Sequence, residues 1–257
     1  RTNSMGLDLN NPVKVDALYT AMQYAKDQSR IAGPIINGEV QSDGELLEVF
    51  NPANKKNAVG SCYQSLPEHI DRAFTAASHA QDAWDKRGGE ARAVVLESMA
   101  DLLEKNLSDL LWLISNEAGR TIADALDEVR EAVDFCRYYG LKAREHFAQP
   151  LELPGPTGES NDLSLHGRGV FLCISPWNFP MAIFIGQISA ALAAGNSVIA
   201  KPAEQTPLVA ARVIKLFHQA GVPNAVLHMI TGAGVDVGAD ADVLGPGKRV
   251  GREVGGL

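Results

Sequence analysis

The sequence predicts an α/β protein, a partial Rossmann-type parallel sheet with N-terminal helices. Three observations predict it. The later half reads strand, helix, strand, helix, strand, glycine turn, which is the grammar of a doubly wound nucleotide-binding sheet. The first of those strands, Val170-Phe171-Leu172-Cys173-Ile174, is a short continuous apolar run, as burial on both faces requires. The half before it carries its apolar residues at helical spacing.

Residues 12–28 suit a first helix. Residues 35–50 hold strand-like apolar residues separated by the turn formers Asn37-Gly38 and Ser42-Asp43-Gly44. Asn51-Pro52-Ala53-Asn54 is a loop. Ser65 and Glu68 have capping-box spacing, which predicts a helix from there to about Trp84. Over 89–117, Val95, Leu96, Met99, Leu102, Leu103, Leu107, Leu110 and Leu111 predict one helix, with Gly119 at its end. A further amphipathic helix covers roughly 121–147. Pro154-Gly155-Pro156-Thr157-Gly158 is a turn-rich break, after which Asp162-Leu163-Ser164-Leu165-His166 alternates like a half-exposed strand. A helix over 181–194 and a strand at Ser197-Val198-Ile199-Ala200 follow the first buried strand. Thr206-Pro207 starts the next helix, with threonine as N-cap, and Gly221 and Pro223 end it. The third strand lies within 225–230 and is expected to present an unpaired edge.

Composition narrows the function classes. The 257 residues are 46% hydrophobic and 21% charged, ordinary values for a soluble globular protein. A net charge of −8 argues against nucleic acid bound through this chain, since phosphate recognition needs a basic surface. Cys62, Cys136 and Cys173 form no C-x-x-C pair and no metal-ligand spacing, so no metal site is expected, and their sparse count suits a reducing cytoplasm. No apolar run reaches the ~18 residues of a membrane span. The chain opens Arg1-Thr2-Asn3-Ser4 without an initiator methionine, which predicts that residue 1 is internal to a longer protein.

Three segments carry chemistry, each just after a predicted strand, where open parallel sheets bind ligands. In Ile174-Ser175-Pro176-Trp177-Asn178-Phe179-Pro180, prolines stiffen a turn around Asn178. A fixed side-chain amide there suits stabilisation of an oxyanion, or simply satisfies the turn's backbone. In Lys201-Pro202-Ala203-Glu204-Gln205-Thr206-Pro207, Lys201 and Glu204 suit a ribose diol, or form a surface ion pair. Gly232-Ala233-Gly234-Val235-Asp236-Val237-Gly238 lets the backbone approach a ligand, or is a plain turn between strand and helix.

Together the three motifs resemble the cofactor half of the aldehyde dehydrogenase superfamily over roughly residues 30–238. Asn3-Ser4-Met5-Gly6-Leu7-Asp8-Leu9, residues 128–135 and Ile183-Phe184-Ile185-Gly186-Gln187 narrow the likeness. They look like the L-glutamate γ-semialdehyde dehydrogenase part of bifunctional proline utilisation A enzymes. The resemblance implies NAD as cofactor, an aldehyde substrate oxidised to glutamate, a proline dehydrogenase part in the same parent chain, and a homo-oligomeric parent. It implies that Asn178 is the oxyanion asparagine and that Ile174, Ser175, Pro176 and Trp177 wall the nicotinamide end of NAD. It further implies that Lys201 and Glu204 hold the adenosine ribose, with Gly234 and Gly238 packed near the adenosine. It divides the chain into a linker and helix (1–34), a helical part of the NAD-binding domain (35–150), part of an oligomerisation flap (151–169), a Rossmann-like core (170–238) and a tail outside the family pattern (239–257). The tail has neither helical periodicity nor a buried strand and is expected to be foreign, from a frameshift or a junction.

The family's nucleophilic cysteine and glutamate base have no counterpart among these motifs, so this chain alone is expected to be inactive. Cys173 lies inside an apolar strand and is expected to be a core residue. Another aldehyde dehydrogenase subclass, a non-catalytic module binding nucleotide or a partner, and a truncated product without function are the other readings.

Overall fold

The structure is a computed structural model that describes residues 2–26 and 28–233. In chain order its elements are α1 (Pro12–Lys26), β1 (Ile31–Ala32), β2 (Ile35–Ile36), β3 (Glu39–Val40), β4 (Leu46–Asn51), β5 (Asn54–Tyr63), α2 (Pro67–Asp85), α3 (Gly88–Lys105), α4 (Leu107–Glu117), α5 (Ile122–Phe147), β6 (Leu151–Leu153), β7 (Asn161–Leu163), β8 (Val170–Ile174), α6 (Ala182–Ala193), β9 (Ser197–Lys201), α7 (Pro207–Ala220) and β10 (Leu227–Met229).

A five-stranded sheet of order β3-β2-β10-β9-β8 forms the centre. β8, β9 and β10 are parallel, as the apolar runs predicted, while β2 joins β10 antiparallel. The sheet is therefore mixed, and β10 is interior. This corrects the expected unpaired edge: the β2–β3 hairpin arrives from far earlier in the chain and covers it. Asn37 and Gly38 turn that hairpin at φ 52° and 83°, the left-handed pair of a tight hairpin that favours these residue types.

Strand alternation sorts the two faces. Leu172 and Ile199 pack with Ile70, Ala73, Phe74 and Ala77 of α2 on one side. Cys173, Val198, Ala200 and Leu227 pack into the larger core with α6, α7 and the α3–α5 helices on the other. Separately, β1, β5 and β4 form a three-stranded sheet, and β6 pairs with β7 as an exposed ribbon. The half-exposed strand expected over 162–166 is shorter, ending at Leu163.

Helix ends depart from the local signals. The helix expected over 89–117 is two, broken at Asn106, whose side chain turns back to the Leu102 carbonyl at 2.7 Å. Ser65 does not cap α2. The cap residue is Leu66, whose amide donates to His69 Nδ1 at 3.1 Å, while Ser65 Oγ accepts the Thr231 amide at 2.8 Å. Thr206 occupies the cap position of α7, but its hydroxyl makes no capping bond. The capping acceptor is Glu117, whose carboxylate takes the Leu208 and Val209 amides at 2.6 and 2.8 Å. Glu128 does the same for α6, accepting from Met181 and Ala182 at 2.7 and 3.2 Å. The far end of α6 is satisfied from the same helical layer, Leu192 O by Trp84 Nε1 and Ala193 O by Arg92 Nε, both at 3.0 Å.

Two stability predictions follow from these buried groups. Glu117→Ala strips the acceptor from two buried α7 amides and should cost about 3 kcal/mol, with Glu117→Gln costing about half as much. Urea unfolding should show lower midpoints at an unchanged m-value. His228 is fully buried, its Nδ1 accepting the Asn37 amide at 3.2 Å and its Nε2 facing Ala225 O at 3.0 Å. Burial lowers its pKa from 6.5 to about 4, helped by nearby His218 and opposed by the Ala225 bond. The unfolded chain therefore binds a proton that the folded chain refuses between those values, and stability falls as pH drops through that window. The stability gap between this chain and His228→Gln should narrow by up to about 3 kcal/mol between pH 7 and pH 4 and be flat above pH 7.

Candidate active site at the C-terminal edge of the sheet

The three parallel strands end together. Ile174 of β8 is in register with Lys201 of β9, and the Ser175 amide donates to the Lys201 carbonyl at 3.1 Å. Ile230, just past β10, donates its amide to Ala200 O at 3.0 Å. The segments after β8, β9 and β10 thus lie side by side on one edge. Ser65 and Thr231 fix the third segment by exchanging backbone and side-chain bonds, and the Thr231 hydroxyl donates to Tyr63 O at 2.7 Å.

Residues after β8 split into a buried and an exposed set. Ser175 is buried, and its hydroxyl has no hydrogen-bond partner among the described residues. Ile174, Pro176, Trp177 and Asn178 are exposed, with Trp177 55% accessible. The Asn178 side-chain amide makes no hydrogen bond among the described residues, so the reading in which it satisfies the turn's backbone finds no support. Its carbonyl instead accepts from Arg120 Nη1 at 2.6 Å, and that guanidinium lies 4.6 Å from the Phe179 ring centroid.

Lys201 is 3% accessible and donates from Nζ to Pro202 O at 3.0 Å. Burial lowers its pKa, against the attraction of Glu204. Glu204 is exposed and accepts from Gln205 Nε2 at 3.2 Å. Among the described residues the two make no ion pair, so a surface salt bridge does not describe them. Cys62, Pro202, Glu204, Thr231 and Gly232 line a small crevice of about 10 Å³. Gly232 has φ 127°, a conformation open to glycine. Gly234 and Gly238, and the tail over 239–257, lie outside the described residues.

All three cysteines are buried. Burial pushes the Cys62 and Cys136 thiols up to about 12, with Glu117 adding to the effect at Cys62. Cys173 packs in the main core, as its strand position predicted. None sits as an exposed thiolate. Motif reading missed Glu117 and Arg120, and it took Glu128 only as part of the 128–135 segment, without its capping role.

The edge brings together exposed Ile174 and Trp177, the buried Ser175 hydroxyl, buried Lys201, exposed Glu204 and, after β10, Gly232. Among the described residues, no helix is long and apolar enough to cross a membrane.

Comparison with known proteins gives a consistent picture. The bifunctional protein PutA of Escherichia coli (strain K12) is 41% identical over 239 residues, which is 93% of this chain and 17% of that protein. Alpha-ketoglutaric semialdehyde dehydrogenase of Bacillus subtilis (strain 168) is 36% identical over 208 residues, 79% of this chain and 42% of its own length. The structure of 1-pyrroline-5-carboxylate dehydrogenase from Thermus with bound NAD superposes with a TM-score of 0.88 at 31% identity, covering 93% of this chain and 46% of that one. This chain therefore spans less than half the length of each. The model of the aldehyde dehydrogenase family matches residues 39–241, running past Gly238, where the motifs placed the end of the pattern. On that match and on the shared fold, the chain belongs to the aldehyde dehydrogenase family.

Proposed function

We propose that this chain is the cofactor-binding part of an NAD-dependent L-glutamate γ-semialdehyde dehydrogenase, with a proline dehydrogenase part in the same parent chain and a homo-oligomeric parent. The observation that carries the reading is the edge itself: a neutral amide donor and an orphan hydroxyl after β8 lie beside a lysine and a glutamate at the end of β9, on adjacent parallel strands.

Each residue then has a task. Ile174, Pro176 and Trp177 wall the nicotinamide end and exclude water from it, and the Ser175 hydroxyl lies buried behind them. A bound NAD would supply a hydride acceptor at this end. Asn178 donates its amide to the oxygen that gains negative charge at the aldehyde carbon, an effect worth roughly 3 kcal/mol at comparable sites. Lys201 and Glu204 bind the adenosine ribose, the ammonium donating and the carboxylate accepting. An exposed carboxylate in that place also repels a 2′-phosphate, which favours NAD over NADP. Gly234 and Gly238 complete the adenosine side.

A second substrate is favoured by one observation: over 208 residues the likeness to the α-ketoglutaric semialdehyde enzyme of Bacillus subtilis, 36%, is as close as that to the 1-pyrroline-5-carboxylate enzyme of the same organism, 35%. Both aldehydes are five-carbon chains ending in a carboxylate, so the class of substrate is common to the two.

Two outcomes test this function. Glu204→Ala should weaken AMP and NAD alike, by a factor corresponding to about 1–3 kcal/mol, in calorimetric titration. Unchanged AMP affinity would show that the ribose lies elsewhere. The chain alone should form no NADH from glutamate semialdehyde, because Cys62, Cys136 and Cys173 are all buried. Turnover above a Cys173→Ala control would make Cys173 a nucleophile and overturn its assignment to the core.

A further inference from the structure

Arg120 connects the loop that carries Asn178 to the carboxylate that caps α6. It lies in the short link between α4 and α5, whose two sides are both anchored. Glu117 before it caps α7, and Thr121 after it caps α5 by accepting the Asp124 amide at 3.2 Å. Gly119 beside it has φ 71°, and a Cβ there would sit 2.8 Å from Pro52 Cγ, so the link tolerates little change.

From this link the Arg120 side chain makes three contacts. Nη1 donates to the Asn178 carbonyl at 2.6 Å. The guanidinium carbon lies 4.6 Å from the Phe179 ring centroid. Nε is 3.9 Å from Glu128 Oε2, and both atoms are buried without a hydrogen-bond partner among the described residues. That pair is therefore held by charge rather than by a shared hydrogen. The other oxygen of Glu128 takes the Met181 and Ala182 amides. One ion pair thus grips residues 178–182 from both sides. A solvated surface arginine makes no such set of contacts, whereas this side chain is 22% accessible.

We infer that Arg120 is a positioning residue: it holds the backbone of Asn178 so that the side-chain amide stays exposed at the cofactor edge instead of folding onto its own turn. The inference rests on the proposed roles of Asn178 and of the wall from Ile174 to Trp177.

The test uses the full chain with Arg120→Met, Arg120→Lys and Phe179→Leu. Trp84 and Trp112 are buried while Trp177 is exposed, so acrylamide quenching of tryptophan emission reports Trp177, with Trp177→Phe giving the background. In Arg120→Met the quenching constant should rise while the protein still melts in one cooperative transition. NAD affinity should fall about tenfold with AMP affinity unchanged, because AMP needs only the ribose couple. Arg120→Lys keeps the charge and one donor and should recover most of both. Unchanged quenching in Arg120→Met overturns the inference, as does an equal loss of NAD and AMP affinity in both arginine variants. Raised quenching with unaltered NAD affinity leaves the clamp standing and overturns the wall at the nicotinamide end. Should Arg120→Met fail to fold, Phe179→Leu carries the test, with a smaller rise expected and no rise counting against it.

Discussion

The loops after β8 and β9 depend on two buried carboxylates in the helical layer. Glu117 and Glu128 each accept the first amides of a sheet-covering helix, α7 and α6 respectively. Those amides have no partner inside their own helix, and a buried helix start without acceptors is costly. The carboxyl groups need the amides equally, since a buried polar group without donors is itself costly. The loop with Asn178 runs straight into α6, and the loop with Lys201 and Glu204 runs into α7. The two caps therefore fix where both loops stop, and the strands β8 and β9 fix where both begin.

This dependence has an electrostatic cost. Burial pushes Glu117 up to about 8, winning over the Leu208 and Val209 amides and over Arg30, all of which pull it down. Glu128 is raised in the same sense, against Met181, Ala182 and Arg120. Basic side chains offset part of the cost from outside. Arg30 and Arg212 share Asp109 at 3.0 and 2.7 Å, close to the start of α4, and Arg30 also stacks over Trp112. Arg120 stands in the corresponding place for Glu128. Each carboxylate is thus set between helix amides and an arginine, and the arginine beside Glu128 also touches a loop of the candidate site.

What could be read in the sequence follows from how local its cause is. The βαβαβ core was legible because apolar runs and helix spacing act over a few residues, and the positions of the loops after β8 and β9 were legible because they begin where those apolar runs end. Helix ends were misread wherever the partner is remote. The acceptor that caps α7 is 91 residues from Leu208, the one that caps α6 is 53 from Met181, and Ser65 bonds a residue 166 positions away. The edge expected on β10 failed for the same reason, since β2 covers it from the far side of the chain. Arg120 left no local trace because the carbonyl it grips is 58 residues on.

The manner in which Asn178 is held bears on what it can do. A donor stabilises developing charge best when it is aimed beforehand and committed to nothing else. If the side-chain amide were the anchor of its turn, it would have to break that bond before donating to a substrate oxygen. Here the backbone carbonyl is the anchored atom, gripped by Arg120, and the amide bears no load. Lys201 is arranged the other way. Its ammonium is buried and already donates to Pro202 O, and burial weakens its hold on the proton. Such a group serves better as a short directional donor to a hydroxyl than as a long-range attractor of phosphate. In the proposed reading the edge is therefore graded, with a neutral donor where charge develops at the aldehyde carbon and a desolvated lysine with an exposed carboxylate where a ribose has only hydroxyls to offer.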